Sequence, residues 1–121
     1  MFELTKSFRF DAGHMLTHHS GKCRRPHSHT YTLEVTLRAN ELQPSGPSTN
    51  MVMDFKDISS LVKPMLEAFL DHHWLNDTLE TDSPTVEFLA QWIYRHLKPQ
   101  TPNLYSVTLY ETPTSKARYW E

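Results

Sequence analysis

Between Thr30 and Arg38 the chain alternates without a break. Tyr31, Leu33, Val35 and Leu37 fall on one side, and Thr32, Glu34, Thr36 and Arg38 on the other. Successive side chains of a strand point to opposite faces, so this stretch predicts a strand with one face buried. Such a face must be covered, and the rest of the chain has to supply the cover. Phe2, Leu4, Phe8 and Phe10 show the same period, with Lys6 interrupting the apolar side. A Pro- and Gly-containing loop from Asn40 to Asn50 leads to Met51-Val52-Met53, which reads as a returning strand. A connection without helical spacing favours antiparallel pairing.

The cover is helical. Asp54 is placed as an N-cap, and Phe55, Ile58, Leu61, Val62, Met65, Leu66, Phe69 and Leu70 then recur at spacings of three and four. Pro64 lies inside that pattern and predicts a kink or a cost of ~3 kcal/mol. Asp71 to Asp77 reads as a polar loop. Ser83-Pro84 predicts an N-cap followed by proline at the first helical position. Val86, Leu89, Ala90, Ile93 and Leu97 form the stripe of this second helix, and Ser106 to Glu111 and Ala117 to Trp120 are two further strands. Grouped strands and grouped helices predict an α+β domain over residues 1–121, with helices on one face of an antiparallel sheet.

Composition narrows the function. A net charge of −2 without a long basic run argues against a nucleic-acid partner. No run of ~18 apolar residues is present, so no transmembrane helix is expected. The first residues, Met1 to Lys6, lack the layout of a signal peptide. The single cysteine, Cys23, excludes an intrachain disulfide and fits a reducing compartment, so a cytoplasmic location is expected. The chain holds 8 histidines in 121 residues, mostly clustered.

His27-Ser28-His29 begins the clearest strand. Residues i and i+2 share a face with Cα atoms ~6.5–7 Å apart, close enough for two imidazoles to meet one metal ion. On its own the pair is more simply read as two surface histidines, because so short a motif is weak. His14, at the end of the first strand, is the candidate third ligand; three neutral ligands would leave one position of a zinc ion open. Cys23 lies among Lys22, Arg24 and Arg25, cations that favour a thiolate. It can be read as a catalytic thiol or as a fourth zinc ligand. Asp71-His72 places a carboxylate beside an imidazole, as acid–base work requires, with His73 a second choice. Glu111, at a strand end, can accept two parallel hydrogen bonds from an amidine-like N–H pair.

In order along the chain stand Phe10-Asp11-Ala12-Gly13-His14, Cys23-x-x-x-His27-x-His29, Met53-Asp54-Phe55, Leu70-Asp71-His72-His73-Trp74-Leu75-Asn76-Asp77, Pro84-Thr85-x-Glu87 and Tyr110-Glu111-Thr112. Together these resemble the 6-pyruvoyl-tetrahydropterin synthase family. Within it they are most similar to the bacterial branch that makes 6-carboxy-tetrahydropterin for queuosine (7-deazaguanine) biosynthesis. The resemblance implies the tunnel fold, a four-stranded antiparallel sheet with two helices on one face, inserted between the second and third strands. It implies homohexamers built as dimers of trimers, with active sites shared between subunits, and no membrane or nucleic-acid partner.

It also implies roles. His14, His27 and His29 would hold one Zn²⁺ per subunit. Cys23 would be catalytic, with Asp71 and His72 as acid–base partners. Glu111 would anchor the pterin, and Thr85 and Glu87 would lie near its pocket. The implied reaction converts 7,8-dihydroneopterin triphosphate to 6-carboxy-5,6,7,8-tetrahydropterin with release of acetaldehyde and triphosphate. Lys22, Arg24, Arg25 and Lys116 are candidates for receiving the phosphates. Two alternatives remain: a 6-pyruvoyl-tetrahydropterin synthase that only eliminates triphosphate, and a non-catalytic zinc- or pterin-binding member of the fold. The chain departs from the family at Ser28, where glycine is usual, at Pro26, and in the Pro-rich loop from Gln43 to Asn50.

Overall fold

The computed structural model describes residues 1–121. Four strands, β1 (Phe2–His14), β2 (His27–Ala39), β3 (Leu104–Thr112) and β4 (Ser115–Trp120), form one antiparallel sheet in chain order. Between β2 and β3 lie α1 (Phe55–Met65), the short α2 (Leu75–Thr78) and α3 (Val86–Leu97). Phe8, Phe10, Tyr31, Leu33, Val35, Val107 and Leu109 bury one face of the sheet. Ile58, Val62 and Met65 of α1 and Leu89, Ile93 and Leu97 of α3 join them in one core cluster of 22 residues. This is the α+β class the patterning predicts, and both long helices lie between the second and third strands, as the family resemblance implies.

Several elements differ from the sequence reading. β1 continues beyond Phe10 to His14, and β2 begins at His27 rather than Thr30. Both extensions lack large alternating apolar residues, so periodicity alone stops short of them. Met51-Val52-Met53 is not a strand. The backbone closes locally instead, with Gln43 N–H donating to Met51 and Asn50 N–H donating to Gln43, while Val52 and Met53 pack against the core as loop residues. Asp54 does cap α1, accepting from Lys56 N–H at 2.8 Å. Pro64 does not end the helix. It sits on the exposed side, and the turn after it widens, Asp71 N–H reaching the carbonyl five residues back at Leu66. The cap of α3 is Thr85 rather than Ser83: its hydroxyl accepts from Phe88 N–H, and buried Pro84 stands just before it. The segment read as a polar loop contains α2.

β1 and β4 are the sheet's edges, and only the corner at His72–Trp74 lies along the outer edge of β1. Gly13 is needed there, because a Cβ at that position would stand 3.1 Å from the Trp74 ring.

Candidate active site and metal centre

Strand register assembles the first cluster. Thirteen residues of β1 pair with thirteen of β2 without a slip, which sets His14 opposite His27 and Ala12 opposite His29. The even positions of β1 and the odd positions of β2 share the helix-covered face, so all three imidazoles meet at its end. The ring centroids are 4.5, 5.1 and 5.0 Å apart, each pair edge-on. Ser28, opposite Gly13, alternates to the exposed face, away from the three imidazoles.

Hydrogen bonds define which nitrogen of each ring is free. His14 Nδ1–H donates to the Pro84 carbonyl at 2.9 Å, and His27 Nδ1–H donates to the Arg25 carbonyl at 2.7 Å. Pro26 contributes here: the residue before a proline is confined to extended backbone, and Arg25, at φ −86 and ψ 153, obeys. With both Nδ1 atoms donating, each Nε2 carries a lone pair. Yet the two Nε2 atoms lie 2.9 Å apart. Two lone pairs at that distance repel unless a cation lies between them. His29 Nε2 is buried without any hydrogen-bond partner. Burial holds the pKa of His14 and of His29 below the ordinary histidine value, which keeps both rings neutral near neutral pH, as metal ligation requires. Three imidazoles with converging Nε2 atoms, one of them without a hydrogen-bond partner, fit a divalent metal ion of the zinc type.

The surroundings hold this cluster in place. Tyr31, fully buried and stacked on Phe10, puts its hydroxyl 3.4 Å from His14 Nδ1. Burial pushes its pKa well above the usual phenol value. Asn76 clamps the residue after His14: Met15 N–H donates to its Oδ1, and its Nδ2–H donates to the Met15 carbonyl, both at 2.9 Å. Neither Tyr31 nor Asn76 was assigned a role from the sequence, although both fall within or beside the motifs.

Glu111 reaches the same cluster from β3. Tyr110 pairs with Lys116 and Thr112 with Ser115, so Glu111 is the extra residue of a β-bulge. Bulges re-aim side chains, and this one faces the imidazoles. Its Oε2 lies 4.0 Å from His14 Nε2 and its Oε1 lies 3.9 Å from His29 Nε2.

Asp71 and His72 form a second cluster on the outer edge of β1. His72 Nδ1 lies 3.0 Å from Asp71 Oδ1. Both are bonded to the edge at Asp11, whose N–H donates to Asp71 Oδ1 at 3.1 Å and whose carbonyl accepts from His72 N–H at 2.6 Å. Asp11 in turn accepts from the Thr30 hydroxyl. His72 adopts φ 61, a left-handed conformation unusual outside glycine, and its side chain is 78% exposed. His73 is occupied elsewhere, donating through Nε2 to the Glu67 carbonyl at 2.8 Å.

Cys23 stands on a short turn, Lys22–Arg24, half-buried and unpaired. Within one chain it joins neither cluster. Lys22, Arg24 and Arg25 line a cleft of about 640 Å³ with Met15, Gly21 and Pro26, and none of the three cations is paired with a carboxylate. Lys116 lies apart, over the Tyr110 ring. Thr85 caps α3 next to the Pro84 carbonyl that holds His14, and Glu87 is exposed on the first turn.

Residues 3–121 match the family model described as 6-pyruvoyl tetrahydropterin synthase. A 6-carboxy-5,6,7,8-tetrahydropterin synthase from Synechocystis sp. is 43% identical over 99% of this chain and 94% of its own length. One from Haemophilus influenzae is 35% identical over 100% of both. The structure of Caenorhabditis elegans 6-pyruvoyl tetrahydropterin synthase superposes with a TM-score of 0.87 at 26% identity, covering 99% of this chain and 95% of that one.

Proposed function

The chain belongs to the 6-pyruvoyl tetrahydropterin synthase family, and on that premise we propose that it is a zinc-dependent lyase. Its substrates are 7,8-dihydroneopterin triphosphate and one water molecule, and its products are 6-carboxy-5,6,7,8-tetrahydropterin, acetaldehyde and triphosphate. The observation that carries the metal-dependent part is the convergence of His14, His27 and His29 with His29 Nε2 left unpartnered. The choice of carboxy over pyruvoyl product is supported by full-length likeness to relatives that bear the carboxy name.

His14, His27 and His29 would hold the zinc ion, leaving room for substrate oxygen. When bound, the metal supplies Lewis acidity that lowers the pKa of the side-chain hydroxyls and orients them. Glu111 receives the guanidine-like edge of the pterin as a pair of N–H donors. Cys23, as thiolate, takes and returns protons at the side-chain carbons. His72, held by Asp71, supplies or accepts the balancing proton at the hydroxyls. Lys22, Arg24 and Arg25 line a cleft suited to the leaving triphosphate, and Thr85 and Glu87 border the pterin pocket at the start of α3.

Cys23 and the Asp71–His72 pair do not meet within one chain. A site completed between subunits supplies the missing contact, and the open edges of β1 and β4 give the sheet a way to join its copies. A homohexamer made of two trimers satisfies both. No helix is long and apolar enough to cross a membrane, which agrees with a cytoplasmic enzyme of queuosine biosynthesis.

The test is a product assay. Zinc-loaded protein incubated with 7,8-dihydroneopterin triphosphate should yield 6-carboxy-tetrahydropterin with trapped acetaldehyde. A pyruvoyl product without acetaldehyde would reassign the reaction, and zinc binding without turnover would remove the enzymatic reading.

A further inference from the structure

Glu111 is in an unusual state for a carboxylate. Its side chain is only 26% exposed, yet it makes no ion pair with Lys or Arg and accepts no hydrogen bond from this chain. A partly buried carboxylate without such a partner is well placed to receive a cation or a set of donors. The nearest groups are imidazole nitrogens, one of which has no hydrogen-bond partner. Each carboxylate oxygen faces a different one of them, at 3.9 and 4.0 Å. In a tetrahedral zinc centre with bonds of ~2.0–2.1 Å, neighbouring donor atoms stand ~3.3–3.4 Å apart. One carboxylate oxygen or the other lies ~0.5–0.7 Å beyond that spacing from two of the three ligands. A dication held by the three histidines would draw it in, since opposite charges in a poorly solvated site attract strongly.

We propose that Glu111 is the fourth ligand of the metal centre in the substrate-free protein and that pterin binding withdraws it, opening the position that chemistry needs. This deepens the reading above and rests on it. The two roles of Glu111 exclude each other in time. A carboxylate that accepts two parallel N–H bonds from a pterin edge has its lone pairs aimed at the ligand, away from the metal. Recognition of the pterin ring and exposure of the metal are then one event. A molecule without a guanidine-like edge would leave the centre closed with four protein ligands, as in structural zinc sites. The bulge at Glu111 suits this exchange, because that residue lies outside the regular ladder and can turn without breaking paired strand register.

The probe is cobalt(II), which replaces zinc and whose visible bands are intense in four-coordinate sites and weak in six-coordinate ones. Metal-free protein and Glu111→Gln would be titrated with Co²⁺ and Zn²⁺ against a chelator, then with a pterin lacking the side chain. The unaltered protein should show an intense four-coordinate spectrum. Glu111→Gln should bind metal more weakly by more than the ~10–100-fold expected for an outer partner and show an altered spectrum. Pterin should move the unaltered spectrum toward that of the variant and leave the variant's own spectrum in place. Equal affinities and spectra for the two proteins, or a pterin that binds without changing the cobalt bands, would overturn the proposal. If Glu111→Gln does not fold, the pterin titration of the unaltered protein decides alone. Turnover with unchanged cobalt bands would sink this inference and keep the lyase. A pterin-induced change without turnover would do the reverse.

Discussion

Two clusters of titratable side chains flank the same strand and are built on opposite principles. His14, at the end of β1, is fully buried, and its ring is fixed by the Pro84 carbonyl, neighbouring imidazoles and a tyrosine. Three residues away, Asp11 supports the Asp71–His72 pair through backbone edge bonds, with the His72 ring largely in solvent. The first cluster has all its protein donors in one chain. The second is an ordered but open arm. A metal centre needs ligands set before the ion arrives, because misplacement weakens every bond at once. A proton donor must meet a partner that arrives from outside, so it gains from exposure and from backbone anchoring that survives without that partner.

The sharpest way to break the contrast is His14→Ala. Loss of one of three ligands should reduce zinc affinity by more than the ~10–100-fold expected for an outer partner. Metal content after dialysis against a chelator reads this directly, and retained stoichiometric zinc would mean the buried cluster is not the metal centre.

Asp71→Asn and His72→Ala address the open arm. Both should lower kcat by ~10²–10⁴-fold while zinc content stays unchanged. A parallel fall in zinc content would show that the two clusters are one unit.

A smaller effect is expected from Asn76→Ala. Removing two hydrogen bonds to the Met15 backbone should cost about 1–3 kcal/mol of unfolding free energy and loosen zinc binding. Asn76→Asp would restore only the accepting half of the clamp, so zinc affinity measured across the three proteins should fall in the order Asn, Asp, Ala.

The smallest effect concerns pH. Burial lowers the pKa of His14 and His29 in the folded chain, whereas unfolded histidine titrates near ~6.5. The unfolded state therefore takes up protons first as pH falls. Stability of the metal-free protein should be complete above about 6.5 and decline as pH drops through the folded values. Denaturant titrations from neutral to mildly acidic pH check this. A His29→Ala variant should show a shallower slope, and stability that rises on acidification would mean the rings are charged in the folded protein.

Much of the frame was legible in advance. The alternation from Tyr31 to Leu37 and the three-and-four spacing of Ile58, Val62, Met65 and Leu66 both appear as buried faces. Met51-Val52-Met53 misled because a short apolar run looks the same whether it pairs as a strand or packs as a loop. Ser83-Pro84 misled because Thr85 offers the same capping chemistry two residues later. Apolar periodicity stopped short of the strand ends at His14 and His27, because Ala12, Gly13 and Ser28 carry too little apolar signal, and only the histidine spacing pointed to them.

The histidine trio could be proposed from spacing together with family likeness, and the structure brings its three rings together. Their free nitrogens could not be read that way, since the carbonyls of Pro84 and Arg25 choose them and a carbonyl leaves no mark in the residue code. Residue types and periods determined the layers and the helix-bearing face, because these follow from local geometry and from burial of apolar surface, and the histidine set needed the family likeness as well. Only the tertiary structure decided the register that sets His14 against His27, the bulge that turns Glu111 onto the cluster, and the separation of Cys23 from Asp71 and His72. Those depend on how distant segments pack, and no local period encodes that packing.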